Sequence, residues 1–223
     1  MLLQKEREDI VTYCRKLIHA GLTQGTGGNI SILNEEKNLF AISPSGIDYF
    51  EMEAEDVVVL DLEGNIVDGI RKPSSECDLH RIFYNKREDI KAVVHAHSTY
   101  STVLATLREG LPASSYLVAF AGKDVRCGEY ASFGSPELAQ KTFEAMRERN
   151  AAFMANHGLI AGGKDILNAF NIAEEIEYCA KVYVKARSIG NPVILSEKEM
   201  EFMMEKFQTY GQKKSIKQLS VMP

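Results

Sequence analysis

Two apolar runs that end in histidine constrain this chain more than any other feature. "KAVVHAH" (91–97) and "NAAFMANHG" (150–158) each run from buried-strand residues straight into imidazole. Short apolar runs bounded by turn signals read as strands enclosed on both faces. Helical periods surround them. Residues 3–20 set Ile10, Val11, Cys14, Leu17 and Ile18 on one face, with Gly21 as the stop. Residues 39–44 and "DVVVLDL" (56–62) read as strands, with turns at "PSG" and "EGN". A helix is expected from about Ser75 through "ECDLHRIFYNK", a strand over "DIKAVVHAH" and a short helix over 99–108. Ser135 and Pro136 open another helix, and "NAAFMA" is the second buried strand. A long helical pattern covers 164–187. Ser196 and Glu199 fit a capping box, with Leu195 and Met200 spaced as its hydrophobic staple. Alternating strands and helices give an α/β class, and the short turns between some strands point to a mixed sheet.

The 223 residues suffice for one sizeable core, and no repeat, low-complexity tract or Pro/Gly/Ser linker divides them. A single domain over 1–223 is expected, with about 212–223 as a mobile basic tail. A net charge of −5 gives no electrostatic case for nucleic acid or an anionic membrane as partner. The cysteines, Cys14, Cys77, Cys127 and Cys179, form no CxxC pair. Cys14 and Cys179 sit in amphipathic patterns where a small apolar thiol belongs, so a reducing compartment is expected. The N-terminus lacks an apolar signal core and no stretch reaches the length of a membrane span, so the expected location is the cytoplasm.

Successive strand side chains point to opposite faces, so His95 and His97 share one face at a strand end. Neutral imidazole suits Zn²⁺, and a catalytic zinc takes about three protein ligands and an open position. Alone, the pair reads first as a hydrogen-bonded strand terminus. A zinc deaminase needs HxE with a later PCxxC, and a zincin needs HExxH; neither is present. His157 follows the second buried strand and could bring a third imidazole to the same sheet edge. His19 and His80 fall within helical stretches and read as ordinary surface or interface residues.

Three loops carry phosphate-binding chemistry. "RKPSSECDLH" sets Ser74 and Ser75 at a helix start, where free N–H groups attract anions. Taken alone, the segment reads first as Ser75 capping that helix, with Asp78 completing a box. Glu76, in the same first turn, is placed to serve as base or fourth metal ligand. "TQGTGGNIS" offers glycine amides, and "SPSG" (43–46) a hydroxyl and another glycine. Neither is a Walker A loop or a dinucleotide fingerprint.

Taken together, "QGTGGNIS", "SPSGID", "KPSSE", "VVHAHS", "YASFGS", "NHGLIA" and "EKFQTYG" resemble, in order and spacing, the class II sugar-phosphate aldolases of the L-fuculose-1-phosphate aldolase type. The resemblance runs from the first helix to Tyr210. It implies a three-layer α/β/α sandwich around a mixed, mostly antiparallel sheet, assembled as a C4 homotetramer. It implies one zinc ion per subunit on His95, His97 and His157, with Glu76 as the catalytic carboxylate that also ligates the metal without substrate. The implied phosphate site is Gly28, Asn29, Ser45, Gly46, Ser74 and Ser75. Tyr116 matches the tyrosine that handles the aldehyde-oxygen proton from a neighbouring subunit, and Phe133 and Tyr210 match aldehyde-pocket residues.

The activity implied is cleavage of a ketose 1-phosphate, L-fuculose 1-phosphate first, to dihydroxyacetone phosphate and L-lactaldehyde. Relatives of the same superfamily remain open: aldolases of L-rhamnulose, 5-deoxyribulose or methylthioribulose 1-phosphate, methylthioribulose-1-phosphate dehydratase and L-ribulose-5-phosphate 4-epimerase. The epimerase typically carries Asp at the position of Glu76. A non-catalytic, adducin-like scaffold is expected to have lost the zinc histidines, and this chain keeps all three.

Overall fold

In the computed structural model, residues 1–209 are described. One eight-stranded sheet organises them. Helix α1 (Gln4–His19) leads to β1 (Asn29–Asn34), β2 (Leu39–Ile42), β3 (Val58–Asp61) and β4 (Ile66–Asp68). Helix α2 (Cys77–Lys86), β5 (Ala92–Ala96) and α3 (Thr99–Leu107) follow. Then come β6 (Arg126–Gly128), α4 (Pro136–Ala145), β7 (Ala151–Met154), β8 (Gly158–Gly163), α5 (Ile166–Ile189) and α6 (Glu197–Gln208). The strand order is β4-β3-β2-β1-β5-β8-β7-β6. Every pair is antiparallel except β6 with β7. The expected mixed, mostly antiparallel sheet is therefore the one found.

Strand alternation splits the apolar residues between two layers. Phe40, Ile42, Val58, Leu60 and Val93 pack with Leu79 and Phe83 of α2 and Leu138 of α4. Their neighbours Ala41, Val57, Val59, Ala92 and Val94 pack on the other side with Ile10 and Leu17 of α1 and Ile172 and Ile176 of α5. This is a three-layer sandwich. Burying both faces explains why β5 reads as a continuous apolar run rather than an alternating one. Cys14 and Cys179 are buried, as their patterns implied.

Local signals hold at several helix ends. Gly21, at φ 67, follows α1, and the Ser135 hydroxyl accepts from the Leu138 amide with Pro136 at the first helical position. Ser196 accepts from the Glu199 amide at 3.2 Å. The α2 start differs from expectation. Glu76, not Ser75, is its N-cap residue and makes no cap bond. The Ser74 hydroxyl instead accepts from the Glu76 amide at 3.2 Å. Asp78 pairs with Arg81 at 2.7 Å rather than closing a box. Helix geometry starts one residue late because Ser74 turns the chain through its own hydroxyl. No described helix is long and apolar enough to cross a membrane.

Candidate active site

The C-terminal end of β5 is where the reactive side chains meet. Antiparallel register sets Ala96 opposite Leu159, so the turn joining β7 to β8 lies beside the residues that follow β5. His157 sits in that tight turn, its amide bonded to the Met154 carbonyl at 3.0 Å. Asn156 before it adopts φ 56, and a side chain at Gly158 would strike the Ala96 carbonyl at 2.5 Å. The hairpin thus brings a third imidazole to the first two. Ring nitrogens of His95, His97 and His157 lie within 4.8 Å of one another.

Hydrogen bonding fixes which nitrogen of His95 is free. His95 Nδ1 donates to the Leu159 carbonyl at 2.9 Å, which leaves a lone pair on Nε2 of the neutral ring. That Nε2 faces His97 Nε2 at 3.0 Å. Glu76 completes the cluster, Oε2 at 3.4 Å from His95 Nε2 and Oε1 at 3.5 Å from His157 Nε2. Glu76 Oε1 is buried with no hydrogen-bond partner. Converging imidazole lone pairs and an orphaned carboxylate oxygen fit a divalent cation ligated by three nitrogens and one oxygen.

Electrostatics keep His95, His97 and Glu76 in their metal-competent forms. Burial, helped by the neighbouring His157 and His97 and opposed by Glu76, pushes His95 down to about 3. Burial also lowers His97. Burial alone would raise Glu76, but His95, the Asn29 amide, His157 and His80 outweigh it and hold the carboxyl below its ordinary value. Neutral imidazoles beside an ionised carboxylate are what a metal requires.

The expected phosphate loops lie side by side. The Ser43 amide donates to the Ile30 carbonyl at 3.0 Å, extending the β1–β2 pairing toward the glycine loop. Ser45 N bonds Lys72 O at 3.0 Å and Ser74 N bonds Ser43 O at 3.2 Å, stitching the "SPSG" and "KPSSE" segments together. Gly28, at φ 73, is pressed so closely on β5 that a Cβ there would meet the His95 carbonyl at 2.6 Å. The buried Tyr49 hydroxyl secures this loop by donating to Gly28 O at 2.6 Å. Ser45, Gly46 and Ser75 are exposed. Asn29 is buried instead, its amide bonded to Glu76 Oε2 at 2.9 Å.

A cavity of about 280 Å³ opens beside the cluster, lined by Glu76, His97, Tyr130, Ala131, Phe133, Asn156 and His157. Phe133 lines this cavity, and Tyr130, which the sequence did not single out, lines it too. Tyr116 is not brought in: it starts a 3₁₀ turn, Tyr116–Phe120, and stacks on Phe207. It lines neither this cavity nor the one of about 570 Å³ on the other side of His97. Tyr210 lies outside the described residues. His80 departs from expectation outright: it is fully buried behind Asn29, not on a surface or interface. His19 does fit, packing edge-on against the exposed Phe50.

Comparison with known proteins agrees with this geometry. Residues 8–184 match the family described as Class II Aldolase and Adducin N-terminal domain. The chain is 58% identical over 212 residues to 5-deoxy-D-ribulose 1-phosphate aldolase of Bacillus thuringiensis serovar kurstaki, covering 95% of this chain and 100% of that one. It is 36% identical over 209 residues to L-fuculose phosphate aldolase of Escherichia coli strain K12, covering 93% and 96%. A solved structure of an L-fuculose 1-phosphate aldolase superposes with a TM-score of 0.92 at 53% identity, covering 93% and 98%.

Proposed function

The chain belongs to the class II aldolase and adducin N-terminal domain family, and we propose that it cleaves a 1-phosphorylated deoxyketose between C3 and C4, 5-deoxyribulose 1-phosphate before L-fuculose 1-phosphate. It is an aldolase, hence a lyase, of a metal-dependent family that acts on phosphorylated sugars. The sequence reading set L-fuculose 1-phosphate first. Identity of 58% to a protein named for the five-carbon sugar reverses that order. Cleaving that sugar gives dihydroxyacetone phosphate and acetaldehyde; cleaving the six-carbon one gives L-lactaldehyde. Both aldehydes end in a methyl group, which suits the Tyr130, Ala131 and Phe133 side of the cavity.

The observation that carries the reading is the orphaned Glu76 Oε1 facing three converging imidazoles. His95, His97 and His157 would hold one zinc ion per subunit, with Glu76 as the ligand that substrate displaces. A divalent cation there supplies Lewis-acid stabilisation of the charge that collects on the ketose oxygens as C3 becomes carbanionic. Glu76, ionised at rest, would take up a proton on its free Oε1 and deliver it to C3 in cleavage, and would remove that proton in synthesis. The Gly28, Asn29, Ser45, Gly46, Ser74 and Ser75 loops hold and orient the phosphate end. Tyr116, half-exposed and outside both cavities, takes the C4 hydroxyl proton in a neighbouring subunit's site. A homotetramer whose sites lie between subunits meets that need.

The test is product identity. Purified protein given 5-deoxyribulose 1-phosphate should release dihydroxyacetone phosphate, followed by a coupled NADH-dependent reductase, together with acetaldehyde. Recovery of an epimerised sugar phosphate, or loss of water without carbon–carbon cleavage, would overturn the reading in favour of the epimerase or the dehydratase. Glu76→Gln should lower turnover by about 10²–10⁴-fold while the protein keeps its metal. Near-normal turnover by that variant removes Glu76 from the proton step.

A further inference from the structure

Behind Glu76 runs a buried polar chain whose inner members, His80, Ser31 and Tyr84, the reaction above does not use. Glu76, His80 and Tyr84 are spaced by four along α2, and Asn29 and Ser31 by two along β1. Four helical residues rise about 6 Å, and two strand residues about 6.7 Å, so the two stripes mesh. Asn29 Nδ2 donates to Glu76 Oε2 at 2.9 Å, and Asn29 Oδ1 meets His80 Nε2. Ser31 Oγ lies 2.7 Å from His80 Nδ1 and 2.5 Å from the Tyr84 hydroxyl. Asn29, Ser31, His80 and Tyr84 are each at most 8% exposed.

Valence fixes the direction of every proton in this chain. An ionised Glu76 only accepts, so Asn29 must present its amide hydrogens to it and its carbonyl to His80. His80 must then carry its proton on Nε2. Burial, partly opposed by Glu76, lowers His80 to about 4 and keeps the ring neutral. Nδ1 is therefore an acceptor, the Ser31 hydroxyl donates to it, and the Tyr84 hydroxyl donates to Ser31. The four donors, Asn29, His80, Ser31 and Tyr84, all point their hydrogens toward one oxygen of Glu76, and the other oxygen has no hydrogen-bond partner.

We propose that His80, backed by Ser31 and Tyr84, is a positioning residue: it locks the Asn29 amide so that Glu76 is clamped through Oε2 and free to act through Oε1. This rests on the proton-transfer role proposed for Glu76. It also gives Asn29 a task besides phosphate binding, since only its second amide hydrogen remains for substrate.

Two measurements test it. Long-range ¹H–¹⁵N spectra of the wild-type protein, metal-free and metal-loaded, should show His80 as the Nε2–H tautomer, its signals assigned by their loss in His80→Gln. An Nδ1–H tautomer overturns the proposal. In kinetics, His80→Leu should lower kcat by about 10–100-fold, the usual range for such supporting groups, with metal stoichiometry unchanged. His80→Gln, which keeps a donor for Asn29, should recover most of that loss. Loss of metal or absence of rescue marks a merely structural role and overturns the proposal. If His80→Leu fails to fold, Tyr84→Phe takes its place, with a smaller fall in kcat expected and an unchanged kcat counting against it. The double variant with Glu76→Gln separates this inference from the one beneath it. If His80 acts through Glu76, the double variant is no slower than Glu76→Gln; multiplied losses refute the clamp while leaving the role of Glu76 intact.

Discussion

The two halves of the site are built in opposite ways. On the carboxylate and imidazole side, His95 and His80 are 0% exposed, Asn29 5% and Glu76 6%. On the cavity side, Tyr130 is 51% exposed and Phe133 71%. The first group hangs from β1, β5, α2 and the β7–β8 hairpin, where sheet register and hydrogen bonds set each side chain. The second sits on connecting segments with few fixed partners. Under the proposed function, the chemistry common to ketose phosphates lies in the packed interior, and discrimination among aldehydes in segments that can change without disturbing it. Relatives named for different sugars, at 58% and 36% identity, fit that division.

The sharpest way to break the comparison is in the buried half. His157→Ala removes one imidazole of the triad and should cost several kcal/mol of transition-state stabilisation, about 10³-fold in turnover or more. It should do so equally for the five-carbon and six-carbon substrates, with metal content falling in parallel by elemental analysis. A loss that differed strongly between the substrates would mean that this half also reads the aldehyde.

Phe133→Ala should do the reverse. Metal content should stay at the wild-type level, while the ratio of kcat/KM for the two substrates shifts by about tenfold, the scale on which an apolar pocket senses one extra carbon. An unchanged ratio would detach Phe133 from selectivity.

The same division decided what could be read in the sequence. His95 and His97 were legible because strand period alone places them on one face, and the triad followed once the second apolar run ended in His157. The β7–β8 hairpin was not. "GLIAGG" lacks the density of β-branched residues that marks a strand, because Gly158 lies too close to the Ala96 carbonyl for a side chain. His80 was misread as peripheral because a single histidine in a helical stretch carries no sign of burial. The signal was relational: Glu76, His80 and Tyr84 at helical spacing answer Asn29 and Ser31 at strand spacing, and only the pairing of α2 with β1 brings the two together. Arg7 is a similar case. It is 1% exposed, its guanidinium bonded to the Leu2 carbonyl at 2.8 Å and to Asp68 at 2.7 Å, with nothing local to announce it.

The smallest expected effect sharpens the contrast through pH. The buried half carries imidazoles that the fold holds neutral: His80 at about 4 and His95 at about 3, both lowered chiefly by burial from an ordinary 6.5. In the unfolded chain these rings take up protons as pH falls through 6.5, whereas in the folded protein they do not until near 4. The unfolded state therefore binds more protons across that window, and stability falls on acidification by ~1.4 kcal/mol per pH unit for each such group. Glu76, whose carboxyl is held below its ordinary 4.5, adds its own loss only beneath that pH. Urea midpoints of metal-free protein between pH 6 and 4.5 should thus drop steeply in the wild type and less steeply, by about one proton's worth, in His80→Gln. Phe133→Ala should leave the slope untouched, since it removes no titrating group. Equal slopes in all three proteins would mean that the imidazole behind Asn29 is not held neutral by its burial, and the contrast between an interior fixed by packing and a rim left open would lose its electrostatic part.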